Sequence, residues 1–410
     1  MFLVYSLLYA VAVSILFIPE YLKRSKELRK RWLREKFGYL PDVKSAIWVH
    51  AVSVGEVNAS IGLLKKLRAE YPQSPLILST ITDTGQKVAL EKAPEGTTVV
   101  YLPFDLIYIL DRGFRRAMPR LFLVMETELW PNIFRTLAGR RVPVLMLNGR
   151  ISEKSAAGYR KISFFMKKVF SCVSVFGMQG QVDADRIRYI GAEKTKITVL
   201  GNFKFDMEMA CAIPDWAQSM GGPIVVAGST HKGEEELILA AYSENKEFSP
   251  ELKLILAPRH PERFEEVADM LKKSGIQYTK RTEIKDLNIS GVSVILLDTV
   301  GELSSVYAAA DIAIMGKSFE GVGGQNPLEP AYWGKPIICG PHMENFPFIK
   351  DFYREGAAFE VEATAISKKI KELLLAPDKA RSAGRKAKEI YLMNSGAVER
   401  AMDIIRKYLG

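Results

Sequence analysis

The sequence predicts an α/β protein made of two doubly wound halves. Short apolar runs alternate with helix-length amphipathic segments, the pattern of parallel sheets covered by helices. That pattern breaks near Ile213-Pro214 and Gly221-Gly222-Pro223 and then restarts. At 410 residues the chain is long enough for two such domains and additional segments.

In the first half the expected strands are Ala46–Ala51, Leu76–Thr80, Thr98–Leu102, Leu121–Met125, Pro143–Leu147, Val173–Phe176 and Ile197–Leu200. Helical patterns lie between them, such as Ser60–Glu70 with Ile61, Leu63, Leu64 and Leu67 on one side. In the second half the expected strands are Ile224–Ala227, Leu252–Ala257, Val292–Leu297, Ile312–Met315, Pro336–Ile338 and Ala358–Val361. The tail from Ala363 is helical in pattern, with breaks at Pro377 and Asn394-Ser395-Gly396. The expected boundaries are a leading segment 1–36, a first domain 37–205, a linker 206–222 and a second domain 223–392. A last helix, 393–410, is expected to pack back on the first domain. Ligands of doubly wound sheets bind at the carboxyl ends of the strands, so two facing halves would share one cleft.

Met1 to Ile18 carries no charged side chain. As a helix it would span roughly 27 Å, close to one hydrocarbon core. From Glu20 to Lys36 there are eight Lys or Arg and three acids. Positive charge after the apolar run is the reverse of a secretory signal, and the positive-inside rule then keeps the body cytoplasmic. The segment could also lie in the interface, or be a buried helix of a soluble protein. Either membrane arrangement sets a basic collar against anionic headgroups.

With 48% apolar and 25% charged residues the composition is that of a folded globular protein. A net charge of +10 favours anionic partners without choosing among them. Cys172, Cys211 and Cys339 have neither paired nor metal-like spacing, which fits a reduced compartment.

Gly323-Gly324-Gln325-Asn326-Pro327-Leu328-Glu329-Pro330 stands between two buried runs. It reads as a glycine loop opening a short helix, whose free N–H groups can meet an anion. Glu329 can accept two ribose hydroxyls, so the segment suggests a nucleotide seat. No P-loop and no strand–GxGxxG–helix is present, which removes the main support for kinase and dehydrogenase readings.

All four histidines, His50, His231, His260 and His342, fall at or just after expected strand ends. Asp183-Ala184-Asp185 has a metal-binding look but fits the first turn of a helix better. Gly55 permits a tight strand-to-helix turn, and Glu56 then begins a helix, as a general base or as a dipole-stabilising acid. Glu126 and Glu128 follow a strand, either as two carboxylates that share a role or with one of them starting the next helix. Lys204 ends the last strand of the first half, where it can stabilise negative charge or be a solvated linker charge. In the second half, Ser229 and His231 lie in a small-residue loop suited to phosphate or carboxylate. Pro258-Arg259-His260 sets a guanidinium at a strand end, and Val300-Gly301-Glu302 starts another helix.

Taken in order, His50–Glu56, Glu126–Pro131, Gly228–His231, Pro258–Phe264 and Gly323–Pro330 resemble the 3-deoxy-D-manno-octulosonic acid (Kdo) transferases of lipopolysaccharide synthesis. The resemblance runs over nearly the whole chain, including the leading segment. It implies a GT-B glycosyltransferase with CMP-Kdo as donor and a lipid A precursor, lipid IVA, as acceptor, working at the cytoplasmic face of the inner membrane. It implies inversion at the anomeric centre, no metal and no other cofactor, membrane lipids as partners and no nucleic acid. By motif, Glu56 matches the family's general base, and Glu126 and Lys204 match positions that stabilise the transition state. Pro258, Arg259, Val300, Gly301, Glu302, Asn326, Pro327, Leu328 and Glu329 match CMP-binding segments. Gly55, Glu128, Ser229, His231, His260, Gly323 and Gly324 are the neighbouring residues expected to bind substrate. Arg112, Arg115, Arg116 and Arg120 are either contacts for the acceptor's phosphates or a solvated helix face. The alternatives are a GT-B enzyme with a different nucleotide sugar and a membrane-tethered binding protein without catalysis.

Overall fold

The computed structural model describes residues 1–207, 209, 212–284, 289 and 291–410, so Cys211 and parts of the 206–222 linker lie outside the described residues. The chain divides into two compact units, Met1–Met207 with Asn394–Gly410, and Glu208–Met393.

The first unit holds β1 (Val43–His50), β2 (Leu76–Thr80), β3 (Thr97–Tyr101), β4 (Ala117–Met125), β5 (Val144–Gly149), β6 (Val175–Met178) and β7 (Ile197–Val199). They form one parallel sheet in the order β3-β2-β1-β4-β5-β6-β7. A parallel sheet is covered on both faces, and its strands are therefore continuous apolar runs. Ile47, Trp48 and Val49 of β1 and Leu121 to Val124 of β4 have no exposed surface. Strand order reverses between β1 and β4, and the crevice at that switch point is where such sheets bind ligands.

Helix α1 (Phe2–Leu22) lies on the surface of this unit, so it is not the buried core helix that the sequence left open. It is long and apolar enough to cross a membrane. Helix α2 (Lys26–Lys36) covers the edge strand β3. Glu35 accepts the Tyr101 N–H at 2.7 Å, and the Arg31 guanidinium donates to the Val99 carbonyl. Those two side chains satisfy backbone groups that an open sheet edge would leave unpaired. The basic collar is thus divided: Arg24 and Lys36 are buried and Arg31 holds β3, whereas Lys23, Lys26, Lys30 and Arg34 face solvent.

Helix α3 (Val54–Glu70) follows β1 and buries Val57, Leu63, Leu64 and Leu67. The last helix, Ala397–Leu409, adds Val398, Ala401, Met402 and Ile405 to the same cluster. Full burial of a side chain such as Ile405 contributes roughly 1.5–3 kcal/mol. Asp206 caps this helix, accepting the Val398 N–H at 2.6 Å and the Gly396 N–H.

The second unit holds β8 (Ile224–Thr230), β9 (Lys253–Pro258), β10 (Tyr278–Lys280), β11 (Val294–Leu296), β12 (Ile312–Met315), β13 (Ile337–Cys339) and β14 (Ala358–Glu360). The parallel order is β10-β11-β9-β8-β12-β13-β14, with the switch point between β8 and β12. The sequence did not predict β10. This three-residue edge strand is only half-buried, so it carries no continuous apolar run. A cavity of ≈ 440 Å³ is lined by Pro223, Asp311 and Pro336. These residues precede β8, β12 and β13, which puts the cavity at the amino ends of the strands, opposite the switch-point loops.

Candidate active site

In the first unit the switch point gathers three carboxylates and a lysine. Ser53 caps α3, and Glu56 sits in its first turn. Glu56 accepts the Val52 N–H at 2.7 Å and the Ser53 hydroxyl at 2.9 Å. This is close to a capping box, so the helix-start role weighed for Glu56 is present in the structure. Burial, and then the negative charge of Glu126, push its carboxyl up to about 6 against the opposing hydrogen bonds. A carboxylate raised this far is a stronger base and is still mostly ionised at neutral pH.

Glu126 ends β4 in the left-handed region at φ 56, a conformation uncommon for a residue with a side chain. Burial raises its carboxyl, while Lys204 and Arg150 pull it back. Glu128 is raised to about 7 by burial and by Glu56 and Glu126. Lys204 lies in a 3₁₀ turn, Phe203–Asp206, whose start is capped by Asn202. Burial lowers its ammonium, and Glu126 raises it again. The mutual effects join Glu56, Glu126, Glu128 and Lys204 in one electrostatic group. Asn148, near the end of β5, holds this turn by accepting the Phe203 N–H at 3.0 Å. Sequence reasoning missed Asn148 and Arg150, since a lone Asn or Arg at a strand end has no distinguishing pattern.

The Gly55 expectation changes here, and the readings of His50 and the arginines are narrowed. Gly55 has no left-handed φ, and an added Cβ would meet nothing closer than Ser53 Oγ at 3.9 Å. The turn does not need a glycine; the missing side chain leaves open space one residue from Glu56. His50 is fully buried, with Nδ1 2.9 Å from Ser79 Oγ, and desolvation drives it down to about 3. It is a neutral structural residue and lines no cleft. Arg115 pairs with Asp111, the Arg116 guanidinium donates to the Leu40 carbonyl and that of Arg120 to Ser74. These arginines stand near the start of β4, at the other end of the strand from Glu126. Asp183 lies in the first turn of the helix Gln181–Ile190 and accepts the Ile151 N–H, in keeping with the helix-start reading.

In the second unit Ser229 and Lys317 are left-handed at the ends of β8 and β12, with φ 56 at each. The loops they open are held by Glu234, which sequence reasoning missed. Its fully buried carboxylate accepts the backbone N–H groups of His231 at 2.9 Å, Lys317 at 2.6 Å, Ser318 at 2.9 Å and Phe319 at 3.0 Å. His231 and His260 meet edge to face, with ring centres 5.2 Å apart. Pro258 ends β9, the Arg259 N–H donates to the Thr230 carbonyl at 3.0 Å, and the Arg259 side chain is exposed.

Gly323 and Gly324 have φ 111 and 69, and a Cβ would lie 2.3 Å from Asn345 Nδ2 and 2.2 Å from Met343 Sδ. The positive φ requires glycine at these two positions, and an added Cβ would also displace the Asn345 and Met343 side chains. Asn326 Oδ1 accepts the Leu328 N–H at 3.2 Å. The following helix, Leu328–Tyr332, is five residues long. The expected helix-start anion seat is therefore smaller than the sequence suggested: one free N–H is used by Asn326, and the dipole is short. Glu329 is pushed up to about 7 by burial, against the Asn326 hydrogen bond and the nearby Arg259 charge. That shared field places Arg259, Asn326 and Glu329 together. Val300 is exposed, but the Glu302 carboxylate is occupied by Arg281 in a two-point ion pair at 2.9 and 3.1 Å. From that segment, backbone and Val300 remain open to a ligand.

Residues 31–207 match the family model for 3-deoxy-D-manno-octulosonic-acid transferase, and residues 224–390 match glycosyl transferases group 1. A 3-deoxy-D-manno-octulosonic acid transferase of Haemophilus influenzae is 36% identical over 94% of this chain and 93% of its own. The Aquifex aeolicus protein of the same description is 32% identical over 82% of this chain and 88% of its own. Among solved structures, a UDP-GlcNAc 2-epimerase from Neisseria meningitidis is similar in fold, with TM-score 0.53 and 11% identity over 85% of this chain and 99% of its own. An S. aureus MnaA–UDP structure has TM-score 0.54 and 14% identity over 89% and 97%. Two parallel seven-stranded sheets with these neighbours make the fold GT-B-like, and the chain belongs to the Kdo transferase family of glycosyltransferases.

Proposed function

We propose that the protein moves Kdo from CMP-Kdo to a lipid A precursor, lipid IVA, with inversion and without a metal. The observation that carries the reading is Glu56, buried at a sheet's switch point beside Glu126, which in turn faces Lys204. The acceptor hydroxyl gives its proton to Glu56 as its oxygen bonds to the anomeric carbon of Kdo. The bond from that carbon to the CMP phosphate breaks, and CMP leaves with the electron pair. Lys204 offers positive charge to the departing phosphate, and Glu126 sets the field around it. Pro258, Arg259, Val300, the backbone around Gly301 and Glu302, and Asn326 to Glu329 hold CMP. Gly323, Gly324, Ser229, His231 and His260 shape the donor site, while Gly55 and Glu128 border the acceptor.

The N-terminal helix holds the body on the cytoplasmic side of the inner membrane. A chain lacking Met1–Ile18 is expected to leave the membrane fraction. Nucleotide release measured with lipid IVA tests the chemistry. CMP release from CMP-Kdo, with product mass increased by Kdo, supports the reading; turnover with a UDP-sugar alone overturns it.

A further inference from the structure

Helix α1 touches the first unit along its whole length. Phe2 meets Phe165 with ring centres 5.4 Å apart. The Tyr5 hydroxyl donates to buried Asp105 at 2.8 Å, and the Asn132 amide donates to Ser6 Oγ at 2.9 Å. Tyr9, Val13, Phe17 and Tyr21 continue this stripe onto the Trp32–Phe104 cluster. Just past the helix end, the Arg24 guanidinium lies 4.3 Å from the Trp32 ring centre. Twenty-one helical residues span about 32 Å, a full hydrocarbon thickness. A helix that crosses a bilayer leaves its water-soluble body behind at the headgroups. Here the body runs beside every turn, so crossing would carry charged surface into hydrocarbon or strip the helix from its dock. Stripping would remove the Tyr5 donor from Asp105 and uncover Trp32.

The opposite face of α1 is a second stripe at helical spacing. Leu3, Leu7, Val11, Ile15, Ile18 and Leu22 are between 51% and 83% exposed. The body also exposes apolar side chains close in sequence to residues that touch α1. Tyr108 is 89% exposed and three residues from Asp105; Phe164 is 68% exposed and adjoins Phe165. Charge lies beside this apolar strip. Lys23, Lys26, Lys30 and Arg34 are solvent-facing, and a cavity of ≈ 390 Å³ is lined by Lys30, Arg31, Arg34 and Arg116 together with Glu27 and Glu35. An apolar strip bordered by exposed cations complements the interface of an anionic phospholipid bilayer.

We propose that α1 does not cross the bilayer: it stays docked on the first unit and lies in the plane of an anionic phospholipid surface. Its outer stripe enters the acyl region by roughly 5–10 Å, with Tyr108 and Phe164 beside it. This rests on the anchoring part of the reading above and is independent of the transfer chemistry.

The test uses the full chain on vesicles of phosphatidylethanolamine and phosphatidylglycerol. A spin label is placed in turn at Leu3→Cys, Val11→Cys and Ile18→Cys, the signal of the unsubstituted chain is subtracted, and depth is read from oxygen and nickel-chelate collision. Equal shallow depths, within about one helical turn (~5.4 Å), are expected. A gradient with Val11 deepest and Leu3 in the far leaflet, across a rise of roughly 22 Å, overturns the in-plane arrangement. Labels exposed to water at all three positions overturn both it and the anchoring. Exchange of phosphatidylglycerol for neutral phosphatidylcholine is expected to weaken binding at least about tenfold, since each basic residue near the surface contributes ~1 kcal/mol; equal binding contradicts the anionic surface. CMP release from CMP-Kdo on the same samples reports on the chemistry alone, so its failure is distinguishable from any of these.

Discussion

Glu56 and Glu234 occupy the same place in two separate sheets. Each is in the first turn of the helix that leaves the strand at the switch point, and each accepts a backbone N–H from the intervening turn, Val52 at 2.7 Å and His231 at 2.9 Å. Their further partners differ. Glu234 takes three more N–H groups from Lys317 to Phe319, whereas Glu56 takes only one hydroxyl. The same local sequence feature, a Gly-Glu at a helix start, gives a loop clamp in one unit and a candidate base in the other.

Glu234→Gln should therefore be costly. The amide keeps one acceptor oxygen and turns an NH₂ toward N–H donors. A loss of about 3 kcal/mol is expected in denaturant unfolding of the full chain, with weaker CMP binding by calorimetry. Wild-type stability and affinity in this variant would show that the clamp is incidental.

Ser53→Ala separates capping from chemistry. Losing the N-cap should cost about 1 kcal/mol. The Ser53 hydroxyl also donates to the charged form of Glu56, so its removal raises the Glu56 carboxyl further above about 6. The base must be ionised to act, so the rate rises with pH through this value. The acid limb of kcat/KM should move to higher pH in the variant, and a limb that stays put or moves down contradicts the assignment. For stability the sign is opposite. A raised carboxyl favours the folded state below its ordinary value of 4.5, and that contribution is lost as pH rises through about 6.

Gly55→Ala tests the open space beside Glu56. The backbone tolerates alanine and no atom blocks the new methyl, so stability should hold or rise by about 0.5 kcal/mol. Transfer should fall at least about tenfold if an acceptor uses that space, equivalent to ~1.4 kcal/mol at the transition state. Wild-type kinetics would mean that the acceptor does not approach there.

The fold was legible because a parallel sheet buries both faces, and strands such as Leu76–Thr80 and Ile312–Met315 read directly as apolar runs. The edge strand β10 lacks that signal, because Tyr278-Thr279-Lys280 holds no apolar run, whereas the edge strands β7 and β14 lie in runs that read as strands. Gly323 and Gly324 were legible as a loop, since their left-handed backbone demands glycine. Glu302 was read as a binding group, but its ion pair with Arg281 depends on a contact 21 residues away that no local pattern encodes. The same limit hid Asn148 and Glu234, whose partners come from other loops. Gly55 was assigned a turn it does not make, because glycine before a helix looks alike whether it relieves backbone or leaves space.

Glu56→Gln, assayed for Kdo transfer from CMP-Kdo to lipid IVA alongside CMP binding, tests the central claim most directly. The amide preserves size and accepts no proton. Transfer is expected to fall by about 10²–10⁴-fold, with CMP affinity within about twofold of wild type, because Glu56 belongs to the other unit from the segments proposed to bind CMP. Transfer within a few-fold of wild type, or a loss explained by CMP binding alone, contradicts Glu56 as the base.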